Sequence, residues 1–156
     1  MLVKYKLIKE SKMKKVILGT VLVFSIVASA GEWVSPSSEV CTKNGGELSR
    51  SGVCYANWND AKRICSNTDA TLPTMDDLRG VLASCGGKFD NYKMHKNDPA
   101  FQSCSKKNGF DISRHYWSST NSKIDGYAMG VRFVNGYEYD KKKDGTLSVQ
   151  CVKIGQ

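Results

Sequence analysis

The sequence predicts an α+β domain in which two helices precede a set of antiparallel strands and disulfides hold the chain together. Apolar residues recur at helical spacing in two segments of the first half of the domain. The last third alternates apolar and polar residues between turn motifs, as half-buried strands do. The chain has six cysteines, an even number, all of them after residue 40. These features are typical of a small disulfide-stapled domain.

Residues 1–30 have the pattern of a secretory signal peptide. Met13-Lys14-Lys15 precedes an apolar stretch from Val16 to Val27, which ends in Ala28-Ser29-Ala30. Small residues at this place fit signal peptidase, so we expect cleavage before Gly31. The segment ahead of Met13 is long for a leader, which makes Met13 an alternative start of translation. The apolar stretch is shorter than the ~20 residues that span a bilayer, so the sequence does not favour an uncleaved anchor.

Most of the positive charge lies in this leader. The whole chain has a net charge of +8, and residues 1–30 hold six Lys and one Glu, a net of +5, which leaves +3 for the remainder. The one basic run there, Lys141 to Lys143, lies between Asp140 and Asp144. We therefore expect no nucleic-acid partner and no membrane span after cleavage. The protein is expected to be exported, to a periplasm, a cell surface or the medium.

The remaining residues divide into a short polar lead-in, 31–39, and one domain, 40–156. Turn-forming residues, Asn44-Gly45-Gly46 and Ser51-Gly52, lie between short β-capable pieces. They predict a two-stranded opening closed by a Cys41–Cys54 disulfide.

Two helices are expected next. Asn57 or Asn59 can cap the first, in which Trp58, Ala61 and Ile64/Cys65 recur at helical spacing and turn Cys65 inward. Thr74 caps the second, with Asp77 at the capping-box position. The second helix carries one apolar stripe and ends at two glycines; the residues concerned are Met75, Leu78, Val81, Leu82, Cys85, Gly86 and Gly87.

The segment from Gly86 to Ser113 is the least regular part of the sequence. It is rich in Lys, Asn, Asp and Gly, and is expected to be a long loop. A loop of this length in a compact domain is usually functional or tied down, and a Cys85–Cys104 disulfide would hold it.

The C-terminal third predicts four strands: Tyr116 to Ser119, Tyr127 to Phe133, Tyr137 to Tyr139, and Thr146 to Val152. Asn135-Gly136 marks a hairpin between the second and third of them. A two-residue loop would put acidic residues beside the apolar face. A three-residue loop, with Gly136 in the left-handed region, pairs Phe133 with Tyr137 and Val131 with Tyr139 and is preferred.

Six cysteines allow fifteen pairings. Cys65 and Cys151 both point inward, from the first helix and the last strand, and are natural partners. Such a bridge is worth on the order of 4 kcal/mol by the loop-entropy relation. The preferred set is Cys41–Cys54, Cys65–Cys151 and Cys85–Cys104. Zinc is not expected, because the chain has only two histidines and no C-x-x-C motif.

Five sequence pieces span nearly the whole domain in order: Trp58-x-x-Ala61-x-x-x-Cys65, Leu72-Pro73-Thr74 with Leu78, Tyr116-Trp117-Ser118-Ser119-Thr120, Ala128-x-x-Val131-x-Phe133-x-x-Gly136, and Val149-x-Cys151-Val152. Together they resemble the bacterial C-type-lectin-like domains found at the C-terminus of the Legionella collagen-like adhesin. The resemblance implies a C-type-lectin-like fold, with two helices packed on antiparallel β-sheets and the termini close together.

The residues of calcium-dependent sugar binding are missing from this pattern. The loop holds neither Glu-Pro-Asn nor Gln-Pro-Asp, and Trp58-Asn59-Asp60 precedes the loop instead of following it. Asp98-Pro99 offers one carboxylate there, too few for a calcium site. We therefore expect no metal and no cofactor, although calcium binding by the Gly86–Ser113 loop stays an open alternative.

The resemblance implies a non-catalytic binding or adhesion-type domain that recognises a protein or glycan at the cell envelope or outside the cell. By analogy with the fold, binding is expected on the long loop and the sheet face beside it. The candidate residues are Arg114, His115, Ser119, Asn121, Lys123 and Arg132.

Two alternatives remain for the function. The domain could be a structural component of an envelope assembly, or a thiol-dependent enzyme with His95 or His115 near Cys85 or Cys104. An even number of cysteines in an exported chain disfavours the free thiol that the enzyme would need.

Overall fold

The computed structural model describes residues 31–87 and 94–153. The predicted signal peptide, 1–30, therefore lies outside the described residues. The elements, in chain order, are β1 (Glu32–Val34), α1 (Ser38–Lys43), β2 (Glu47–Leu48), β3 (Cys54–Ala56), α2 (Trp58–Ser66), α3 (Met75–Ser84), α4 (Pro99–Lys107), β4 (His115–Asn121), β5 (Tyr127–Arg132), β6 (Tyr137–Lys142), β7 (Leu147–Ser148) and β8 (Cys151–Lys153).

The strands form two sheets. One has six strands in the order β2-β3-β7-β4-β5-β6, and the other contains only β1 and β8. All pairings are antiparallel except that of β4 with β7, which meets at Tyr116 and Ser148. The α+β class expected from the sequence is confirmed.

Strand β1 corrects the predicted lead-in. Glu32 pairs with Lys153 and Val34 with Cys151, so residues inside 31–39 are part of the fold. Thr71 forms a further bridge to Val152 on the other side of β8. A strand of three residues is too short to show an alternating apolar pattern in the sequence, which is why β1 was missed.

The opening segment differs from the expected pair of strands in one respect. Cys41 lies in helix α1, which Ser37 caps by accepting a hydrogen bond from the Val40 N–H. The two strands that follow, β2 and β3, pair through Glu47 with Tyr55 and Leu48 with Cys54. The Cys41–Cys54 disulfide therefore joins a helix to a strand.

Both predicted helices are present with the expected caps. The Asn57 side chain accepts a hydrogen bond from the Asp60 N–H at the start of α2. Thr74 and Asp77 form a reciprocal capping box at the start of α3. These ends are encoded within four residues of sequence, so local reasoning finds them.

Helix α4 occupies much of the segment that was expected to be irregular. Asp98 caps it, Pro99 takes the first turn, and Phe101 and Ser105 are its buried residues. An Asp-Pro pair is a helix-start signal. The prediction of a structureless Gly86–Ser113 loop was wrong for this part.

The β5–β6 hairpin has a longer loop than either predicted form. Arg132 pairs with Tyr137 and Val131 with Glu138, so the loop has four residues, Phe133 to Gly136. Gly136 is in the left-handed region, with φ of 67°, as expected. The side chain of Phe133 is fully buried and stacks on Phe110 at 4.2 Å between ring centroids, which removes it from the strand ladder.

The predicted last strand is divided in two. Ser148 belongs to the six-stranded sheet through Tyr55, whereas Cys151 belongs to the two-stranded sheet through Val34. Gln150 lies between them, and its buried side chain accepts a hydrogen bond from Ser35 and donates one to the Asn108 carbonyl. These two hydrogen bonds hold the chain at the point where it passes from one sheet to the other.

The three disulfides are Cys41–Cys54, Cys65–Cys151 and Cys85–Cys104, the pairing preferred from the sequence. All six cysteines are within the described residues and none has a free thiol.

The six-stranded sheet separates two apolar clusters. Trp117 and Ala128 belong to the cluster on the α2 side, with Tyr139 packed against it. Tyr116 and Val131 belong to the cluster on the α3 side, with Phe101 of α4. Alternate residues of a strand point to opposite faces, so we call the two surfaces the α2 face and the α3 face of the sheet. No helix within residues 31–87 and 94–153 is long and apolar enough to cross a bilayer.

Candidate ligand-binding surface

Three of the six predicted site residues lie together where β4 begins. His115 pairs with Arg132 on the neighbouring strand, so both side chains are on the α2 face. Arg114 precedes them, and its carbonyl accepts a hydrogen bond from the Phe133 N–H. This end of the sheet therefore gathers two guanidinium groups and an imidazole within one strand pair.

Arg114 is held in place by two side chains. Its Nε lies 3.3 Å from Asp111 Oδ2, and its Nη2 donates to Ser51 Oγ at 3.2 Å. Burial alone would raise the pKa of Asp111, but hydrogen bonds from Ser113 and the neighbouring Arg114 lower it. Asp111 is thus ionised at neutral pH and offsets part of the Arg114 charge.

His115 is neutral at neutral pH. Its Nδ1 lies 2.7 Å from the Tyr139 hydroxyl, and the two rings meet edge to face. Burial, followed by the positive charges of Arg132 and Lys141, lowers the pKa of His115. Burial also raises the pKa of Tyr139 to about 12, so this partner is a neutral phenol. The fixed charge of this surface comes from arginine and lysine.

The strand register separates the charges of β5 and β6 by face. Arg132, Tyr137, Tyr139 and Lys141 follow the α2 face, while Glu138 and Asp140 follow the α3 face. Glu138 accepts two hydrogen bonds from the Arg79 guanidinium on α3, both at 2.6 Å. On the α2 face the hairpin thus presents cations and two tyrosine rings, whereas the α3 face carries both carboxylates together with one lysine, Lys142.

An open cavity of about 510 Å³ adjoins His115. Arg114 and His115 form one part of its wall, and residues from the β2–β3 hairpin and from β7 form the rest. The lining residues are Ser49, Arg50, Tyr55, Ser113, Arg114, His115, Thr146, Leu147 and Ser148. We call this space the His115 cavity.

The other three predicted site residues lie at the far end of β4. Ser119 donates its backbone N–H to the Pro73 carbonyl at 2.7 Å, and Asn121 accepts a hydrogen bond from Lys143. Asn121 and Lys123 line a separate cavity of about 400 Å³ that also contains Met75 and Met129. The structure therefore divides the six predicted residues into two groups of three at opposite ends of one strand.

Asp98, the carboxylate considered as a calcium ligand, serves as the N-cap of helix α4. It accepts hydrogen bonds from the Phe101 and Ala100 N–H groups, which lower its pKa. Trp58-Asn59-Asp60 is likewise part of helix α2, where Asp60 pairs with Arg63. In the two described segments, no group of three His, Cys, Asp or Glu side chains is arranged to hold a metal ion.

No family model matches the chain, and a search of curated proteins found no similar sequence.

Sequence reasoning missed seven of the nine residues that line the His115 cavity, among them Arg50, Tyr55, Thr146 and Leu147. These four come from β3, from β7 and from the turns beside them, and meet His115 only because β7 lies between β3 and β4. Arg50, within Ser49-Arg50-Ser51-Gly52, carried one usable signal, a cation at the tip of a predicted turn.

Proposed function

We propose that the protein is an exported, non-catalytic binding domain of C-type-lectin-like architecture that recognises a protein or a glycan at the cell envelope or outside it. The observation that carries the proposal is the end of the six-stranded sheet, where Arg114 and His115 line an open cavity and the exposed Arg132 pairs with His115 on the next strand. A rigid sheet that presents such groups at its end suits recognition of a ligand.

The arrangement of the chain ends supports the lectin-like architecture. Strands β1 and β8 pair, and Cys65–Cys151 joins α2 to β8, so both ends of the described chain lie at the same place. Helices α2 and α3 pack against opposite faces of the sheet. The structure adds α1 and α4 to the two helices that the resemblance implies.

Three disulfides support export, because such bonds persist in oxidising compartments and are rare in the cytosol. They also bear on the thiol-enzyme alternative, since every cysteine sulfur is bonded to another. His95 stacks on Phe101, and His115 Nδ1 lies within hydrogen-bonding distance of the Tyr139 hydroxyl. Titration of the denatured protein with a thiol reagent tests this point directly, and a free thiol would revive the enzyme hypothesis.

The binding proposal is tested with two triple variants. Oxidised protein recovered from the periplasm of an expression host is immobilised and exposed to cell-envelope glycan, host matrix and secreted proteins. We expect saturable binding that is lost when Arg114, His115 and Arg132 are all changed to Ala. The matched variant, with Ala at Ser119, Asn121 and Lys123, controls for the second cavity.

Two outcomes contradict the proposal. Binding that neither triple variant weakens would exclude both ends of β4 as the site. A protein that elutes from size exclusion as one stable oligomer, crosslinks through this surface and binds no ligand would favour the structural alternative.

A further inference from the structure

We propose that the His115 cavity binds a carboxylate side chain from an acidic segment of a partner protein. This inference rests on the proposed function and names the ligand class for the same surface. It follows from the charge of the lining residues, the availability of one guanidinium group and the apolar wall beside it.

The charged residues in the lining of the cavity are both cations. Arg50 and Arg114 line it beside the neutral His115, and none of the residues that form its wall is Asp or Glu. Arg132 pairs with His115 on the adjacent strand, which extends the positive field beyond the cavity. Asp111 is the nearest opposing charge, and it is already engaged by Arg114 and Ser113.

Arg50 is the available cation. It is exposed and makes no hydrogen bond or ion pair with any residue that the structure describes. Its planar guanidinium can donate two parallel hydrogen bonds to one carboxylate, a geometry that a lysine does not offer. An unpaired arginine at the mouth of a cavity is therefore a ready partner for an anion.

The lowered pKa of His115 reflects its burial and an excess of positive charge around its ring. Besides burial, Arg132 and Lys141 disfavour its protonated form. A carboxylate in the cavity would offset this repulsion, so binding and protonation of His115 favour each other. Among the groups that face His115, Tyr139 is neutral and Asp111 is paired, and neither supplies the missing negative charge.

The apolar wall favours a peptide over a polyanionic polysaccharide. Tyr55 and Leu147 line the cavity beside the cations, where methylene groups of an acidic side chain can pack. A polysaccharide with a charge on every unit needs a continuous row of cations. Here Asp140 and Asp144 flank the basic run of residues 141–143, and the His115 cavity itself is lined by only two arginines, Arg50 and Arg114.

The test uses a fluorescein-labelled hexaglutamate peptide, its hexaglutamine counterpart and dextran sulfate as probes, with fluorescence anisotropy at low salt. The protein is oxidised material recovered from the periplasm of an expression host. The cavity variant is Arg50→Glu. The matched control is Lys142→Glu, an equal change of charge at an exposed residue on the α3 face.

We expect saturable binding of hexaglutamate and none of hexaglutamine. Arg50→Glu should weaken binding at least about tenfold, as loss of a charged hydrogen-bonded contact does, while Lys142→Glu changes it less than about twofold. Thermal unfolding of both variants should match the wild type, because neither residue is buried.

Three results would overturn the inference. The first is that hexaglutamate does not bind. The second is that both variants weaken the binding of hexaglutamate equally, which indicates general charge attraction. The third is that dextran sulfate binds through Arg50 while hexaglutamate does not. In any of these cases the protein could still bind an envelope ligand through Arg114, His115 and Arg132. The proposed binding function would then be retained, and only the assignment of an acidic peptide as the ligand would be rejected.

Discussion

The Tyr139 hydroxyl reaches across strand β5 to His115 Nδ1, 2.7 Å away, and the Tyr139 ring lies beside Gly130, its partner on β5. A β-carbon at Gly130 would lie 3.5 Å from Tyr139 Cζ and 2.7 Å from Leu147 Cδ1. A methyl group there would touch the Tyr139 ring at an ordinary contact distance but would collide with Leu147.

Gly130→Ala should therefore destabilise the protein. The added methyl group meets Leu147 in a closely packed sheet, and overpacking of this kind costs about 1–3 kcal/mol. Urea unfolding gives the free energy directly. Gly80→Ala is the matched control, because nothing lies within 4 Å of a β-carbon there in helix α3, and it should stabilise by about 0.5–1 kcal/mol. Equal effects at the two glycines would contradict the packing around Gly130.

His115 should make stability depend on pH. Its pKa in the folded protein lies below 6.5, so as the pH falls the unfolded chain binds a proton first. The stability linked to this residue is present above pH 6.5 and is lost as the pH falls through that value. Unfolding measured at pH 8 and pH 5 should show a smaller loss in His115→Gln than in the wild type. Identical losses would mean that burial does not perturb this histidine.

The three disulfides should differ in their contributions. The loop closed by Cys65–Cys151 spans 86 residues and that closed by Cys41–Cys54 spans 13. Loop entropy gives about 4–5 kcal/mol for the first and about 3 kcal/mol for the second. Replacing each pair by alanine and measuring thermal unfolding checks the order. Greater loss from the Cys41–Cys54 variant would show that packing around the bridges outweighs loop length.

Asp98 should stabilise the protein through its cap on helix α4. Asp98→Ala leaves the Phe101 and Ala100 N–H groups without their side-chain acceptor, whereas Asp98→Asn keeps an oxygen at the same place. Denaturant unfolding should place the alanine variant below the asparagine variant. If calcium stabilises the wild type and neither variant, Asp98 has a ligand role beyond the cap.

Local signals account for the parts of the fold that the sequence predicted. The caps of α2 and α3 involve residues three positions apart, and the inward direction of Cys65 follows from helical periodicity. The disulfide partners then follow from which cysteines share an interior. None of these inferences needs the order of strands in the sheet.

The hairpin register required knowledge of distant residues. Phe133 continues the alternating pattern of β5, yet its ring stacks on Phe110 and it leaves the strand. Val134 and Asn135 are also buried, so the four-residue loop is fixed by packing against the domain and not by Asn135-Gly136 alone.

The candidate site was predictable only along one strand. Arg114, His115 and Arg132 were chosen by analogy with the fold, and the pairing of β4 with β5 brings them together. Arg50 and Tyr55 reach the same cavity through the placement of β7 between β3 and β4, a non-local feature. Because the prediction treated β4 as one surface, it placed Ser119 in the same candidate site as His115, although the two residues lie toward opposite ends of the strand.

The pairing of β1 with β8 determines how the domain responds to mechanical load. A pulling force applied between Glu32 and Lys153 first peels these two strands apart. Tension then passes through the Cys65–Cys151 bond, which bypasses the 86-residue span between them. Strands β4, β5 and β6 lie within that span, so the covalent path of the load avoids them while the bond is intact, whereas β3, which supplies Tyr55 to the His115 cavity, lies on the loaded path.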